Sequence, residues 1–562
     1  MSMGISKNLK FLSVILMLLS MASCQEQIDA GIKEANQKIN NPEPTDDYSD
    51  PNNHSYEVIN NDIVPVTNTV GGSSSYGHFA VSRYQSYYMA PVAMNRSCNV
   101  FTNVCGEFSI STVDGDEVIK VDLGTPNRFI APKMASNSNG DIAILWVESN
   151  EKLYLYLKIN NQVIYQSKSL DEYINSSGSV KFFDIAMNDN RQVVIYYNST
   201  VSSWWDQSHI KHYVIGYDHE SGGWRIPGSS DDLLKSDNFN YLNDMSSQVR
   251  DHGYNLQDSV HLKLNQNGDE RLLFHTYGGN QDNSMQNYYL LYRNNLFASN
   301  SYNYNLTSNL RNNGYSANYL TKIDSDMALD EDGNTIVAFN YVSQNDFWRT
   351  SPSTIYVSTD IDGEVSLPVN FNSSISYNVV GSFASNAGAS AYVVHAYAPK
   401  VALHDGKGQI VWLSTKESGE YASQSPAKDL ESIYVSDYTI DAGFTSEILI
   451  AKDIVYNVKG LLSRWSGQPS ELWISQAPMT TAIGTNGKKV IVWASQDNSG
   501  YTQLYRSVKS STAAKWGAPE KLTSTRTNKS EVKLTTSDDG GFHIYWLDEF
   551  GNQAKLKNFS FK

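Results

Sequence analysis

Cysteine is scarce in this chain: three residues in 562. That excludes a fold held together by a dense disulfide framework. The apolar run Phe11–Leu19 falls short of the roughly 20 residues that a bilayer-spanning helix needs. Basic residues are outnumbered, 43 against 59 acidic, for a net charge of −16. This argues against nucleic acid and against binding to an anionic membrane surface, since both require basic patches. No nucleophile elbow, phosphate loop or zinc-binding helix motif is found, so no cofactor is expected and the reading leans away from an enzyme without deciding the point. What the sequence does hold is tyrosine, 36 residues of it, and a recurring hairpin.

The amino terminus carries Lys7 and Lys10, then the apolar run, then Met21, Ala22, Ser23 and Cys24. A basic start, a short apolar stretch and small residues describe a secretory signal over residues 1–23. The last four residues resemble the lipobox of bacterial lipoproteins, with Met21 where Leu is usual. The resemblance implies a lipid on the Cys24 thiol, palmitate included, and Cys24 as the mature terminus. Gln25 follows where Asp would retain the protein at the inner membrane, so the resemblance implies the outer membrane, on its periplasmic or its cell-surface side. Several acyl chains on one residue give stable anchoring. The alternative is a plain signal peptide with a chance cysteine. If Cys24 is lipidated, Cys98 and Cys105 remain, close together in a loop-like stretch. In an oxidising compartment they are expected to form a local disulfide; a metal pair lacks a nearby His or Cys at zinc spacing.

Residues 24–55 are polar and interrupted by Pro42, Pro44 and Pro51. They hold too few apolar side chains for a core and read as a tether. Residues 56–116 are expected to be an accessory segment that decorates the main body or hides a degenerate eighth blade. Residues 117–562 contain the repeat.

Seven segments share one pattern: a short apolar strand, Asn/Asp-rich turn residues, Gly, and a second apolar strand ending on an aromatic. They end on Trp146, Tyr197, Phe274, Phe339, Trp412, Trp493 and Trp546. Arg191 replaces Gly in the second copy, and the fifth is one residue short. Asn and Asp bond nearby backbone and Gly accepts positive φ, so each copy predicts a tight hairpin. The second strand is apolar on both faces and is therefore buried on both sides. Ala135, Ala186, Ala328, Ala402 and Ala482 form a column of small residues on the first strand, as expected where innermost strands converge. Further strands follow most copies, which gives four per unit, the composition of a propeller blade. The expected fold is all-β: a β-propeller of seven four-stranded blades. After Trp546 there is room for one more strand, Gln553–Phe561, and Glu117–Leu123 is expected to complete that last blade.

The repeats resemble bacterial propellers with sialidase-like blades, over residues 117–562. The sialidase Asp-box is not met: Ser537, Asp539 and Gly541 approach it, but Ile544 stands in place of Trp. The resemblance implies a fold and no sialidase chemistry.

Long connections at 227–258, 295–322, 369–398 and 416–475 are rich in Tyr, Asn and Ser, a composition suited to adaptable recognition. They are expected on one working face, which would hold a protein or a glycan; the alternative is mere decoration. One residue before each aligned apolar position stand Lys133, Asp184, His261, Asp326, Lys400, Thr480 and Lys533. These are expected to ring the channel mouth, where they either bind a charged ligand or neutralise one another. Tyr217, His219 and Arg225 contain the residue types that a polysaccharide lyase uses to abstract a proton beside a neutralised uronate, without forming a motif. His209, His212 and His219 with Asp206 are weak metal candidates. Asp330–Gly333 and Asp360–Gly363 resemble fragments of calcium loops and read better as turns. The preferred reading is a lipid-anchored binding module, and the alternative is a carbohydrate-active lyase or hydrolase with its site at the channel mouth.

Overall fold

The computed structural model describes residues 78–84, 86–91, 104–112, 117–128, 132–147, 153–169, 178–201, 207–218, 223–225, 261–277, 286–293, 302–306, 325–342, 353–361, 364–365, 369–370, 396–414, 431–454, 479–550 and 553–562. The chain divides into two units, Met1–Ser55 and Tyr56–Lys562, and all described residues belong to the second. The signal, Cys24, the tether and Cys98 lie outside the described residues. Among the described residues there is no helix, and none is long and apolar enough to cross a membrane.

Strand pairing yields eight antiparallel sheets among the described residues, meanders in chain order except that the last strands of the fifth and sixth return to pair with the third strand of their sheet. The first holds β1 (His78–Val81), β2 (Ser86–Pro91), β3 (Val104–Thr112) and β4 (Glu117–Arg128). The second holds β5 (Lys133–Ser136), β6 (Ile142–Val147), β7 (Leu153–Ile159) and β8 (Gln162–Ser169). The third holds β9 (Gly178–Met187), β10 (Val193–Val201), β11 (Gln207–Asp218) and β12 (Gly223–Arg225). The fourth holds β13 (His261–Leu264), β14 (Glu270–Tyr277), β15 (Gln286–Arg293) and β16 (Tyr302–Asn305). The fifth holds β17 (Ser325–Leu329), β18 (Thr335–Val342), β19 (Ser353–Ile361), β20 (Glu364–Val365) and β21 (Val369–Asn370). The sixth holds β22 (Ala396–His404), β23 (Lys407–Ser414), β24 (Glu431–Thr439), β25 (Gly443–Phe444) and β26 (Ile448–Ile454). The seventh holds β27 (Met479–Ile483), β28 (Lys489–Gln496), β29 (Thr502–Lys509) and β30 (Glu520–Lys521). The eighth holds β31 (Asn528–Thr536), β32 (Phe542–Phe550) and β33 (Gln553–Phe561).

The first strand of every sheet lies beside the first strand of the next, from β1 and β5 through to β27 and β31, and β31 lies beside β1. Apolar clusters fill the spaces between sheets. Leu145 and Leu155 of the second pack with Ile185 and Ile195 of the third. Val490 and Val492 of the seventh pack with Ile544 and Trp546 of the eighth, and Phe79 of the first packs with Leu547 and Leu556 of the eighth. Burying each such side chain contributes about 1.5–3 kcal/mol. This sandwiching explains why the second strand of each repeat is apolar on both faces.

The hairpin turns follow one scheme. Gly140 N–H donates to Asn137 O at 3.1 Å, and Asn137 Oδ1 accepts from the N–H groups of Asn139 and Asp141. Gly140 sits at φ 78°. Arg191 takes the same left-handed conformation at φ 62° without being glycine, which costs about 1–2 kcal/mol. Its guanidinium offsets part of that by donating from Nε to buried Asp141 Oδ2 at 2.9 Å. The short fifth copy closes differently: His404 pairs with Lys407 around Asp405 and Gly406, both at positive φ. That is the two-residue turn favoured by Asp-Gly.

The recurrent turn residue also ties sheets together. Asn137 Nδ2 donates to Asn188 O at 3.2 Å, Asn188 Nδ2 to Asn265 O at 3.1 Å, and Asn265 Nδ2 to Asp330 O at 3.1 Å. Gly406 N–H then donates to Asp330 Oδ2 at 3.1 Å. Asp538 of the eighth sheet meets Arg83 and Tyr84 of the first.

Three expectations are corrected. Glu117–Leu123 does not complete the last sheet: it is part of β4 and pairs with β3, in the register Ile110 with Ile119. Only four residues, including Asp114-Gly115, separate β3 from β4, and so short a hairpin closes at far lower entropic cost than a contact across the whole chain. The eighth sheet accordingly has three strands among the described residues. Residues 416–475 are not all loop, because β24–β26 lie within them; Ile433 and Val435 supply a buried face. Residues 302–305 of the 295–322 stretch form β16 and pair with β15.

Gly408 shows how tightly the sheets pack. A Cβ there would come 2.5 Å from Ile336 Cδ1 and 3.2 Å from Tyr438 Cδ1. Gly408→Ala is expected to destabilise the fold by about 1–3 kcal/mol, read as a lowered denaturant midpoint at an unchanged slope.

Candidate functional site

All seven sequence-selected mouth residues take equivalent register positions. Lys133 pairs with Leu145, Asp184 with Tyr196, His261 with Leu273 and Asp326 with Ala338. Lys400 pairs with Val411, Thr480 with Val492 and Lys533 with Tyr545. In every case the partner immediately precedes the repeat's aromatic. Since the first strands are neighbours, these positions come together at one level. The equivalent position on β1 is His78, which pairs with Met89. Sequence reasoning missed it because the turn after β1 lacks the Asn-x-x-Gly signature.

The two acids serve as brackets. Asp184 Oδ1 accepts the N–H of Ile185 at 3.0 Å, while Oδ2 accepts the N–H of Leu262 on β13 at 2.8 Å. Asp326 repeats the arrangement one pair of sheets later, with Met327 N–H at 2.9 Å on Oδ1 and Val401 N–H of β22 at 2.9 Å on Oδ2. Each carboxylate thus satisfies its own strand and the first strand of a neighbouring sheet. Charge-assisted bonds of this kind are among the stronger ones. Lys533 is engaged as well, its ammonium 5.6 Å from the centre of the Phe79 ring.

His261 stands between the two brackets. Its Nδ1 lies 3.7 Å from Asp326 Oδ1, and its Nε2 is shielded with no hydrogen-bond partner among the described residues. Burial pushes the imidazole below its usual pKa. The field of Lys133, Lys263 and Lys400 acts in the same direction, and Asp326 opposes it. His261 is therefore neutral near pH 7. Lys133 and Lys400 have no ion-pair partner among the described residues.

The remaining candidates do not join this group. Tyr217 pairs with Trp224 and Arg225 with Gly216 on β11 and β12, the strands of the third sheet farthest from β9. His219 and Asp206 lie outside the described residues. His209 and His212 sit three positions apart on β11. Cys105 is in β3, opposite Asn127. Asp330 is a turn residue whose Oδ1 accepts from Asp332 and Asn334, and Asp360 faces Arg271 at 3.3 Å. No group of three His, Cys, Asp or Glu among the described residues is placed to hold a metal.

No family model matches the chain, and no curated protein matches it in sequence. Among solved structures it is similar to polysaccharide lyase Uly1, at 7% identity over 91% of this chain and 99% of that one, with a TM-score of 0.41. It is similar to a PL25 ulvan lyase at 11% identity, over 67% of this chain and 79% of that one, with a TM-score of 0.36. It is similar to an α-L-arabinanase of Penicillium chrysogenum at 10% identity, over 68% of this chain and 92% of that one, with a TM-score of 0.32. All three scores fall below 0.5, so none of them identifies a shared fold.

Proposed function

We propose that the eight sheets are the blades of one propeller, closed where β31 meets β1, and that the protein is an exported, lipid-anchored module that binds a glycan at the cell envelope. The observation that carries the binding reading is the use of Asp184 and Asp326 as brackets. Asp184 and Asp326 are committed to backbone N–H groups, so these two carboxylates do not form a free acid pair of the kind hydrolysis relies on, with two carboxyl groups flanking the scissile bond. What it does offer is polar side chains on converging strands. The Tyr-, Asn- and Ser-rich connections that join the sheets suit sugar recognition.

A second reading rests on His261. An imidazole 3.7 Å from the Asp326 carboxylate, with Nε2 unpartnered among the described residues, is a candidate general base, and a lyase would use one. Passing acidic and neutral polysaccharides over the immobilised protein separates the two. Retention without product supports the binding module. Growth of ultraviolet absorbance from unsaturated sugars, or of reducing ends, overturns it in favour of the enzyme.

The anchor at Cys24, the outer-membrane location and the local disulfide between Cys98 and Cys105 belong to the same proposal; the lipobox resemblance and the cysteine count support them. Cys24→Ala is expected to abolish incorporation of labelled palmitate and to shift the protein from the membrane to the soluble fraction. Undiminished labelling in the variant would remove the anchor from the account.

A further inference from the structure

We propose that the mouth binds an oxyanion of an acidic glycan between Lys133 and Lys400, and that His261 beneath it takes up a proton as the anion binds. This rests on the glycan-binding reading and names the class of glycan.

The arrangement around His261 is symmetric. In strand order the positions run Lys133 on β5, Asp184 on β9, His261 on β13, Asp326 on β17 and Lys400 on β22, each strand beside the next. The acids adjacent to His261 are turned toward backbone N–H groups. The lysines beyond them have no anionic partner among the described residues, although both act electrostatically on His261. Lys263, exposed on β13 itself, adds a third positive charge. Among the described residues, three lysines against two carboxylates leave a local positive excess in a chain whose net charge is −16. The sign is opposite to that of the protein as a whole, as a site for an anion requires.

His261 is the second observation. A shielded ring nitrogen without a partner carries a desolvation penalty, which a neighbouring anion would relieve by stabilising the imidazolium. Among the described residues, the charged groups that act on His261 are Asp326 from β17, Lys263 from its own strand, and Lys133 and Lys400 from β5 and β22; Asp184 on neighbouring β9 is turned to the N–H of Leu262. On β14, Arg271 stands opposite Lys263 but is taken up by Asp360, and Glu270 lies at the far end, opposite Leu264. The free site holds the ring neutral because burial disfavours the imidazolium and the lysine field adds to that, against the opposing pull of Asp326. An oxyanion between the lysines reverses that field and raises the proton affinity of the ring. Affinity for the anion therefore rises as pH falls through the pKa of the bound state, and levels off below that of the free state.

The test is calorimetric titration of the intact protein with polygalacturonate for carboxylate, dextran sulfate for sulfate, and dextran as the neutral control. Saturable binding of either charged polymer is expected, with heats that depend on the buffer's ionisation enthalpy because protons are taken up. Which polymer binds assigns the oxyanion. Affinity is expected to increase from about pH 8 to about pH 5. Lys133→Ala with Lys400→Ala should weaken binding by about tenfold or more at an unchanged melting temperature. His261→Gln should retain binding and lose both the proton uptake and the pH dependence. Undiminished binding by the double lysine variant, or proton uptake that survives His261→Gln, overturns the proposal. Binding of dextran alone overturns this inference and leaves the glycan-binding reading intact; retention of none of the three, nor of any neutral polysaccharide, removes both.

Discussion

Asp360→Ala is expected to lower stability by about 3–5 kcal/mol, measured as a fall in denaturant midpoint. Asp360 is buried and lies 3.3 Å from Nε of Arg271, which is itself only 2% exposed. The guanidinium reaches from the fourth sheet into the fifth. It donates to Thr335 Oγ1 at 3.1 Å and to Gly333 O at 2.9 Å, while another of its nitrogens donates to Glu270 O at 3.1 Å. Removing the carboxylate leaves a buried cation without its counter-charge. Replacing both partners, as Arg271→Met with Asp360→Leu, is expected to cost far less than the single change, because no charge is then stranded. A double variant as unstable as the single one would mean that the hydrogen bonds to the fifth sheet, and not the charge pair, hold this seam.

Trp412→Ala is the second large effect, at about 3–5 kcal/mol. Trp412 is fully buried and stacks on Tyr434 with ring centres 6.0 Å apart. The same stack recurs as Trp146 on Tyr154 at 5.9 Å and Trp493 on Tyr505 at 6.0 Å, with Phe339 on Tyr356 as the smaller version. Trp412 packs with residues of the fifth sheet and Trp493 with residues of the sixth, so truncation there opens a cavity at an interface shared by two sheets. In a repeat architecture the loss is felt by those neighbours first. Alanine at Trp146 and Trp493 should therefore cost a similar amount. Alanine at Val163, which is 49% exposed, should fall within about 0.5 kcal/mol of the parent. A uniform small effect at the three tryptophans would show that the sheets do not depend on these contacts.

The hairpins were legible because turn chemistry is local. Asn137 and Gly140 announce a turn wherever they occur, and the seven copies map onto the junctions of the first two strands in the second to eighth sheets. The first sheet was not legible in the same way, since Ser82, Arg83 and Tyr84 stand where the others carry Asn and Gly. The Asp114-Gly115 pair that joins β3 to β4 was the available signal. The sixth sheet was under-read because its third strand, β24, starts well beyond the hairpin, and its Ile433–Val435 alternation was absorbed into a presumed loop. The mouth residues were legible as a column because register is fixed by the turn. Their chemistry was not. Whether Asp184 faces a ligand or the N–H of Leu262 depends on how far one inner strand is offset from the next, and periodicity within a strand carries no information about that offset.

We propose that this mouth binds an acidic glycan and does not cleave it. The most direct measurement is a titration of the protein with polygalacturonate and with dextran sulfate in which heat and ultraviolet absorbance are recorded on the same sample. Saturable heat is expected for at least one polymer, abolished or strongly weakened by Lys133→Ala with Lys400→Ala, with a flat absorbance trace throughout. Absorbance that climbs with time in the parent protein would contradict it and make His261 the base of a lyase.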